Sequence, residues 1–252
     1  MTRTSLLVAL AIAGSAAAGT IDDGRSDEEY VAAGLRYADV VVEISGKLSE
    51  GERAKASAVA IRPRWVLTAA HVLRGCSDVR VKTCSGETHE ASLWVMHEDF
   101  DLDNVGVNDI ALCRLRTPIM ARKFPKLSDE CEPGEVCDVA GVGMHGRMRD
   151  GLLGYDGRLR CGTNRVRHSR GCVLICEADR GDTPLEYHIT SGDSGGPLFD
   201  RRGRVAGIHS FTQRDPGHPR NTFGEESCHT RVCLYRDWIE ATIRENDSEE
   251  HP

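Results

Sequence analysis

Short β-rich runs separated by Gly, Asp and Asn turns make up most of this 252-residue chain. They lie at 40–44, 57–61, 79–81, 91–96, 110–115, 136–142, 173–175, 196–199 and 205–211. Strands of this length and spacing are typical of an all-β sandwich or barrel. A long helical pattern appears at the C-terminus, where Leu234, Trp238, Ile239 and Ile243 recur at helical spacing. We therefore expect an all-β fold with a terminal helix packed by one face onto the strands.

The N-terminus has the three-part order of a secretory signal peptide. Arg3 precedes an apolar run at 6–13, and the small residues Ala16 and Ala18 follow. The run is shorter than the roughly 20 apolar residues that a spanning helix needs. We therefore predict a signal peptide over 1–18, a polar, acidic N-terminal segment over 19–39, and a secreted or periplasmic protein. A buried N-terminal helix is the alternative interpretation of residues 1–18.

Ten cysteines suit an oxidising compartment, where paired sulfurs can staple loops. The pairs that are close in sequence are Cys76 with Cys84, Cys131 with Cys137, Cys172 with Cys176, and Cys228 with Cys233. Spacing does not fix connectivity, and Cys113 and Cys161 stay unassigned. Zinc binding by the last two pairs is a competing interpretation. We expect neither a metal nor another cofactor.

The formal net charge is −7, with 39 acidic and 32 basic residues. This balance provides no broad positive field that would attract phosphates or anionic lipids. We therefore expect no nucleic-acid partner and, once the signal peptide is cleaved, no membrane association. The mature chain is expected to be a monomer.

Three segments carry residues suited to acyl transfer: WVLTAAHV with His71, NDIALCRL with Asp109, and SGDSGGPLF with Ser194. Taken singly, a histidine after a strand, an aspartate beside a strand and a Gly-Ser-Gly cluster are ordinary structural features. Together they supply a hydroxyl nucleophile, a base, and a buried carboxylate that fixes the tautomer of the base. Acyl transfer needs all three groups.

In this order and with these flanks, the segments resemble those of the chymotrypsin and trypsin family, from about Val40 to the terminal helix. The resemblance implies two six-stranded antiparallel β-barrels, at 40–125 and 126–234, followed by a helix at 235–246. It implies a secreted serine endopeptidase that acts on proteins or peptides, with Ser194 as nucleophile, His71 as base and Asp109 orienting the base. The backbone amides of Gly192 and Ser194 would form the oxyanion hole.

The disulfide framework departs from that of the family. Family members usually carry cysteine at the places of Val72, Thr190 and Asp200, and all three are missing here. The pairings of the family therefore do not transfer to this chain. A local bond from Cys137 to Cys131 is the preferred alternative.

Activation is also open. In much of the family a freed Ile amino terminus forms an ion pair with the Asp before the nucleophile, which is Asp193 in this chain. Ile21 is the counterpart in the sequence, yet cleavage after Ala18 leaves two residues ahead of it. Either further trimming occurs, or another cation, such as an arginine, pairs with Asp193.

The implied specificity pocket carries His188 where trypsin-like members have the carboxylate that selects Lys and Arg, which disfavours trypsin-like specificity. The other implied pocket residues are Ser191, His209, Ser210, Phe211, Thr212 and Ser227. GIHSF, with His209, resembles a strand of bacterial glutamyl endopeptidases, where a histidine and hydroxyls bind the substrate carboxylate. An imidazole can become a cation beside a carboxylate. Acidic specificity through His209, Ser191 and Thr212 is therefore one hypothesis, and a small or apolar preference is the other.

Two further functions compete with proteolysis. A catalytically silent binding module on the same fold would usually have lost a triad residue or the glycine beside the nucleophile, and this chain has lost neither. A lipase or esterase usually carries its triad in the order Ser, acid, His, with the nucleophile on a strand-to-helix elbow. The order His71, Asp109, Ser194 argues against that class.

Overall fold

The computed structural model describes residues 19–49, 51–104 and 106–247. The predicted signal peptide over 1–18 lies outside these residues. The described chain begins with strand β1 (Thr20–Ile21) and helix α1 (Asp27–Gly34), followed by a 3-10 turn at Leu35–Tyr37. Glu29 accepts the Ser26 N–H at 2.8 Å, which satisfies a free backbone donor at the start of α1.

A closed six-stranded antiparallel barrel follows, with strands in the spatial order β2-β3-β4-β7-β6-β5. The strands are β2 (Val41–Lys47), β3 (Arg53–Arg62), β4 (Trp65–Thr68), β5 (Ser77–Lys82), β6 (Thr88–Met96) and β7 (Ala111–Leu115). A four-residue helix, α2 (Ala70–Leu73), lies between β4 and β5. Inward side chains such as Ile44, Val66 and Leu115 are fully buried in the barrel core. Closure of the sheet leaves no exposed strand edge.

The second half of the described chain is also built from strands. They are β8 (Val136–Gly141), β9 (His145–Arg147), β10 (Gly151–Gly154), β11 (Arg160–Arg170), β12 (Val173–Glu177), β13 (Tyr187–His188), β14 (Pro197–Phe199), β15 (Val205–Gln213) and β16 (Glu226–Arg231). Six of them close a second antiparallel barrel in the order β11-β12-β16-β15-β14-β8. The other three join β1 in a sheet of order β10-β9-β1-β13, which ties the N-terminal segment to the second barrel.

A hydrophobic cluster joins the two barrels to the C-terminal helix α3 (Arg236–Asp247). Leu67 and Phe199 enter it from the barrels, and Ile239 and Ile243 enter it from one face of α3. The predicted double barrel with a terminal helix is therefore confirmed. Leu234 was wrongly placed on the packed face, because it lies in the 3-10 turn before α3 and is 56% exposed. Neither α3 nor any other helix of the described residues is long and apolar enough to span a bilayer.

Two of the candidate local cysteine pairs are incompatible with the strands. Cys76 precedes the six-residue strand β5 and Cys84 follows it, whereas Cys172 directly precedes β12 and Cys176 is the fourth of its five residues. At about 3.3 Å per residue, these strands hold the partners roughly 20 Å and 13 Å apart. A disulfide needs Cα atoms within about 7 Å. Neither pair can therefore form a disulfide in this fold.

Candidate active site

Two neighbouring strand ends bring His71 and Asp109 together. Strands β4 and β7 pair with Thr68 opposite Ala111, so the residues after β4 and before β7 meet at one end of the first barrel. Asp109 accepts the His71 backbone N–H at 2.9 Å through Oδ1, and its Oδ2 lies 2.7 Å from the His71 Nδ1. Because Nδ1 is held in this way, Nε2 is the ring nitrogen that can serve a nucleophile.

The carboxylate of Asp109 is buried and is also held from the second barrel. Ser210 of β15 donates its hydroxyl to Oδ2, and Thr230 of β16 donates to the Asp109 carbonyl at 2.9 Å. Burial works to raise the pKa of Asp109, but the charge of His71 and hydrogen bonds from His71 and Ser210 lower it below its ordinary value. Burial works to lower the pKa of His71, whereas Asp109 raises it above its ordinary value. The pair therefore combines an ionised carboxylate with an imidazole of raised basicity.

The segment that carries Ser194 packs against the residues just before His71. Gly195 has a φ of +81°, and a Cβ on it would lie 2.0 Å from the Thr68 Oγ1 and 3.1 Å from the Ala69 N. Glycine alone tolerates both this left-handed backbone and this close approach. The structure thus places all three predicted triad residues in one region where the barrels meet.

Ser57 of β3 contacts both residues of the predicted oxyanion hole, although the sequence analysis did not identify it. Its Oγ donates to the Gly192 carbonyl at 2.9 Å, and its N–H donates to the Ser194 carbonyl at 2.9 Å. None of the turn hydrogen bonds of the described chain uses the N–H of Gly192 or of Ser194. These two amides are therefore suited to binding a substrate oxygen.

Asp193, between those two residues, is fully buried. Its carboxylate accepts backbone N–H groups from Thr190 at 3.0 Å, from Gly143 at 3.3 Å, and from Gly19. All three donors are neutral. Burial raises the pKa of Asp193 to about 7, although the three hydrogen bonds and the charge of Arg160 work to lower it. The surrounding N–H groups thus favour the ionised Asp193 carboxylate, but they do not offset the cost of burying its charge.

Gly19 occupies a space that admits no side chain. Its N–H also donates to the Tyr187 hydroxyl at 2.9 Å, and a Cβ on Gly19 would lie 2.3 Å from the Tyr187 Cζ and 2.6 Å from the His188 carbonyl oxygen. Pairing of Thr20 with His188 in the β1–β13 ladder fixes this position. The placement of Ile21 at Asp193 is therefore corrected: Ile21 is buried two residues further along, in β1, and Gly19 lies at the carboxylate.

Part of the predicted specificity pocket gathers around Glu225, which the sequence analysis did not identify. His188 is fully buried, with Nδ1 2.9 Å from the Ser227 hydroxyl and Nε2 3.4 Å from the Glu225 carboxylate. Thr212, opposite Ser227 in the β15–β16 ladder, also hydrogen-bonds to Glu225. Burial works to raise the pKa of Glu225, but the hydrogen bond and charge of His188 lower it below its ordinary value. A negative charge therefore lies among these side chains.

His209 is enclosed, and both of its ring nitrogens have partners. Nδ1 lies 2.9 Å from the His229 Nδ1, and Nε2 lies 3.2 Å from the Ala140 carbonyl oxygen. Burial lowers the pKa of His209 to about 3, so its imidazole is neutral. His209 therefore has no free nitrogen for a substrate carboxylate.

The remaining predicted pocket residues have separate surroundings: Ser191 is exposed, Phe211 packs against Gly106, and Ser210 binds Asp109.

Comparison with known proteins finds a matching family profile, related sequences and a related structure. The sequence profile of the trypsin family matches residues 35–239. Rat (Rattus norvegicus) granzyme B is 25% identical, with 96% of this chain and 98% of the relative aligned. Human (Homo sapiens) kallikrein-11 is 28% identical over 79% of this chain and 75% of its own length. Mouse neuropsin, a serine protease of known structure, superposes with a TM-score of 0.64 at 20% identity and covers 82% of this chain and 95% of its own, which shows the shared fold.

Proposed function

The chain belongs to the trypsin family of serine endopeptidases, and from that membership we propose that it cleaves peptide bonds through an acyl-enzyme on Ser194. The observation that carries this proposal is the contact of 2.7 Å between His71 and Asp109, beside the turn of Ser194. His71 takes the Ser194 proton as the hydroxyl attacks the scissile carbonyl, and returns it to the leaving amine. Asp109 stays ionised and stabilises the imidazolium. The N–H groups of Gly192 and Ser194 bind the oxyanion.

Hydrolysis of a pool of internally quenched peptides, by protein that begins at Gly19, tests this function. We expect turnover that stops after treatment with a covalent inhibitor of serine hydrolases. A folded protein that cleaves none of the pool and does not react with the inhibitor would instead support the catalytically silent binding module.

The enzyme is exported, and its signal peptide is removed after Ala18. The order of Arg3, an apolar run and small residues supports this. N-terminal sequencing of the secreted protein should therefore begin at Gly19. The exported enzyme acts as a monomer on proteins or peptides.

Removal of the signal peptide also completes the site at Asp193. Cleavage after Ala18 turns the Gly19 amide into an α-ammonium group where its N–H already meets the Asp193 carboxylate. A buried carboxylate is costly without a charged partner, and the new cation provides one. Because Asp193 lies between Gly192 and Ser194, this ion pair stabilises the turn that forms the oxyanion hole. The ion pair with Asp193 therefore forms without removal of Gly19 and Thr20.

The fall of kcat/KM at low pH should follow the protonation of His71. Asp109 raises the pKa of His71 above its ordinary value of 6.5, so kcat/KM should fall tenfold per pH unit below an apparent pKa that lies above 6.5. Asp109→Asn removes the charge that raises this pKa, so its acid limb should move to lower pH, while kcat falls by about 10⁴-fold. Rates measured from about pH 5 to about pH 9 check both effects. Identical acid limbs in the two proteins would contradict this assignment.

The surroundings of Glu225 argue against the hypothesis of acidic specificity. Two unit charges about 4 Å apart at an effective dielectric constant of about 20 repel each other by about 4 kcal/mol. Glu225→Gln should therefore raise kcat/KM for a substrate with Glu before the scissile bond by at least about tenfold, relative to the matched Gln substrate. The exposed residue Glu130 gives the control variant, Glu130→Gln. Dominant cleavage after Glu by the unmodified enzyme, abolished by His209→Ala, would overturn this expectation.

Cys131 and Cys137 form the disulfide that suits export to an oxidising compartment. Their sulfur atoms lie 3.8 Å apart in the core of the second barrel, so a small rotation of the side chains can bring them to bonding distance. Peptide mapping without reductant should recover the two cysteines as one linked peptide.

A further inference from the structure

Ser57 is a fully buried serine of the first barrel, and each of its polar groups has a partner. Its Oγ donates to the Gly192 carbonyl at 2.9 Å and accepts the Val142 N–H at 3.0 Å. Its N–H donates to the Ser194 carbonyl at 2.9 Å, and its carbonyl accepts the Thr68 hydroxyl at 3.0 Å. One residue of β3 thus holds three groups of the second barrel.

The hydroxyl acts at the most flexible point of the nucleophile turn. Gly192 has a φ of +87°, and without a side chain it can rotate the peptide planes on either side of it. The second barrel supplies its own anchors, since the Asp193 N–H donates to the Thr190 carbonyl at 3.1 Å and the Gly196 N–H donates to the Asp193 carbonyl at 2.8 Å. None of these anchors holds the Gly192 carbonyl.

Ser57 also connects the turn of Gly192 and Ser194 to the first barrel, which carries His71. It is linked to Thr68 at the end of β4, and Thr68 precedes His71 by three residues. Through Ser57, the Gly192 carbonyl and the Ser194 carbonyl are fixed relative to that strand. The position of the oxyanion donors is therefore set from the first barrel as well as from the second.

We propose that Ser57 is a positioning residue, whose hydroxyl clamps the Gly192 peptide so that the oxyanion hole stays formed and aligned with His71. The proposal rests on the acyl-enzyme function described above. Without the hydroxyl, the Val142 N–H and the Gly192 carbonyl are buried without this partner, and rotation of the Gly192 peptide relieves the loss. Loss of an oxyanion donor lowers kcat by about 10²- to 10³-fold, so partial loss of alignment should lower kcat by about 10- to 100-fold.

The test compares Ser57→Ala with Ser45→Ala, a control that removes another buried hydroxyl of the first barrel. Ser57→Ala should lower kcat by about 10- to 100-fold while KM changes by less than about threefold. It should weaken inhibition by a peptide boronic acid, which forms a tetrahedral adduct on Ser194, by a similar factor. Competitive inhibition by the amine-side product peptide, which has no carboxylate at the position of the scissile carbonyl, should stay unchanged. Ser45→Ala should alter none of these values.

If Ser57 had a purely structural role, Ser57→Ala would lower the thermal midpoint, and inhibition by the boronic acid and by the product peptide would change by the same factor. Equal kcat and equal boronate inhibition in Ser57→Ala and Ser45→Ala would overturn the proposal. Ser57→Thr keeps the hydroxyl and should recover kcat to within about threefold of the unmodified enzyme, whereas recovery by Ser57→Gly would contradict the clamp. Failure of the unmodified protein to hydrolyse any peptide would reject the proposed function instead, so the two failures are distinguishable.

Discussion

Replacement of Ser194 by alanine is expected to lower kcat for peptide hydrolysis by on the order of 10⁶-fold, because no acyl-enzyme can form. His71→Ala should cost a similar factor, since a serine hydroxyl is a weak nucleophile without an adjacent base. The two side chains act as one unit, so the double variant should be no slower than either single variant. Steady-state kinetics on protein that begins at Gly19 measures all three.

Matched controls come from exposed residues of β11. Ser169→Ala and His168→Ala remove the same chemical groups from exposed positions near the end of β11, and both should leave kcat unchanged. More than about 1% residual activity in Ser194→Ala, with the controls intact, would show that another residue serves as the nucleophile.

A single residue left in front of Gly19 is expected to lower kcat/KM by about 10²- to 10³-fold, the cost of one lost oxyanion donor. The extension removes the α-ammonium group from Asp193 and returns a neutral amide to that place. The carboxylate then stays buried among neutral donors, and its raised pKa of about 7 favours protonation instead of an ion pair. Parallel assays of chains that begin at Ala18 and at Gly19 measure the effect.

The control for this experiment is the same alanine added at the C-terminus, which should leave the rate unchanged. Asp193→Asn should reproduce the loss in a chain that begins at Gly19. Gly19→Ala should do so as well, because its Cβ would collide with the Tyr187 ring and the His188 carbonyl oxygen. Full activity in the extended chain would show that the ion pair is not required.

The fold was predictable because short, continuous segments of the sequence carry the signals for its strands and for its family. Short β-rich runs predict nine of the twelve barrel strands, although not β4, β11 or β16. The segments around His71, Asp109 and Ser194 led to the family and through it to the double barrel. Helix α1 could also have been predicted, because Ser26 and Glu29 form a capping-box pattern, yet the segment was interpreted only as polar and acidic. The pairs Cys76–Cys84 and Cys172–Cys176 became candidates only because they are close along the chain, and that closeness does not show whether the residues between them are extended.

The residues that sequence reasoning missed act through contacts between distant segments. Gly19 meets Tyr187 across 168 positions, and Ser57 meets Gly192 across 135. Neither contact leaves a periodic or motif signal, since each depends on how the barrels and the β1–β13 ladder come together. His209 shows the opposite error, because a motif resemblance suggested a ligand role for a side chain whose nitrogens the fold already uses.

Reaction with a fluorophosphonate probe, followed by mapping of the labelled peptide, tests the central assignment most directly. The probe forms a stable bond only with a serine whose hydroxyl is activated by a neighbouring base. In protein that begins at Gly19, we expect a single label on Ser194, lost in His71→Ala and retained in His168→Ala. A folded protein that stays unlabelled, or one that is labelled on a different serine, would contradict Ser194 as the nucleophile.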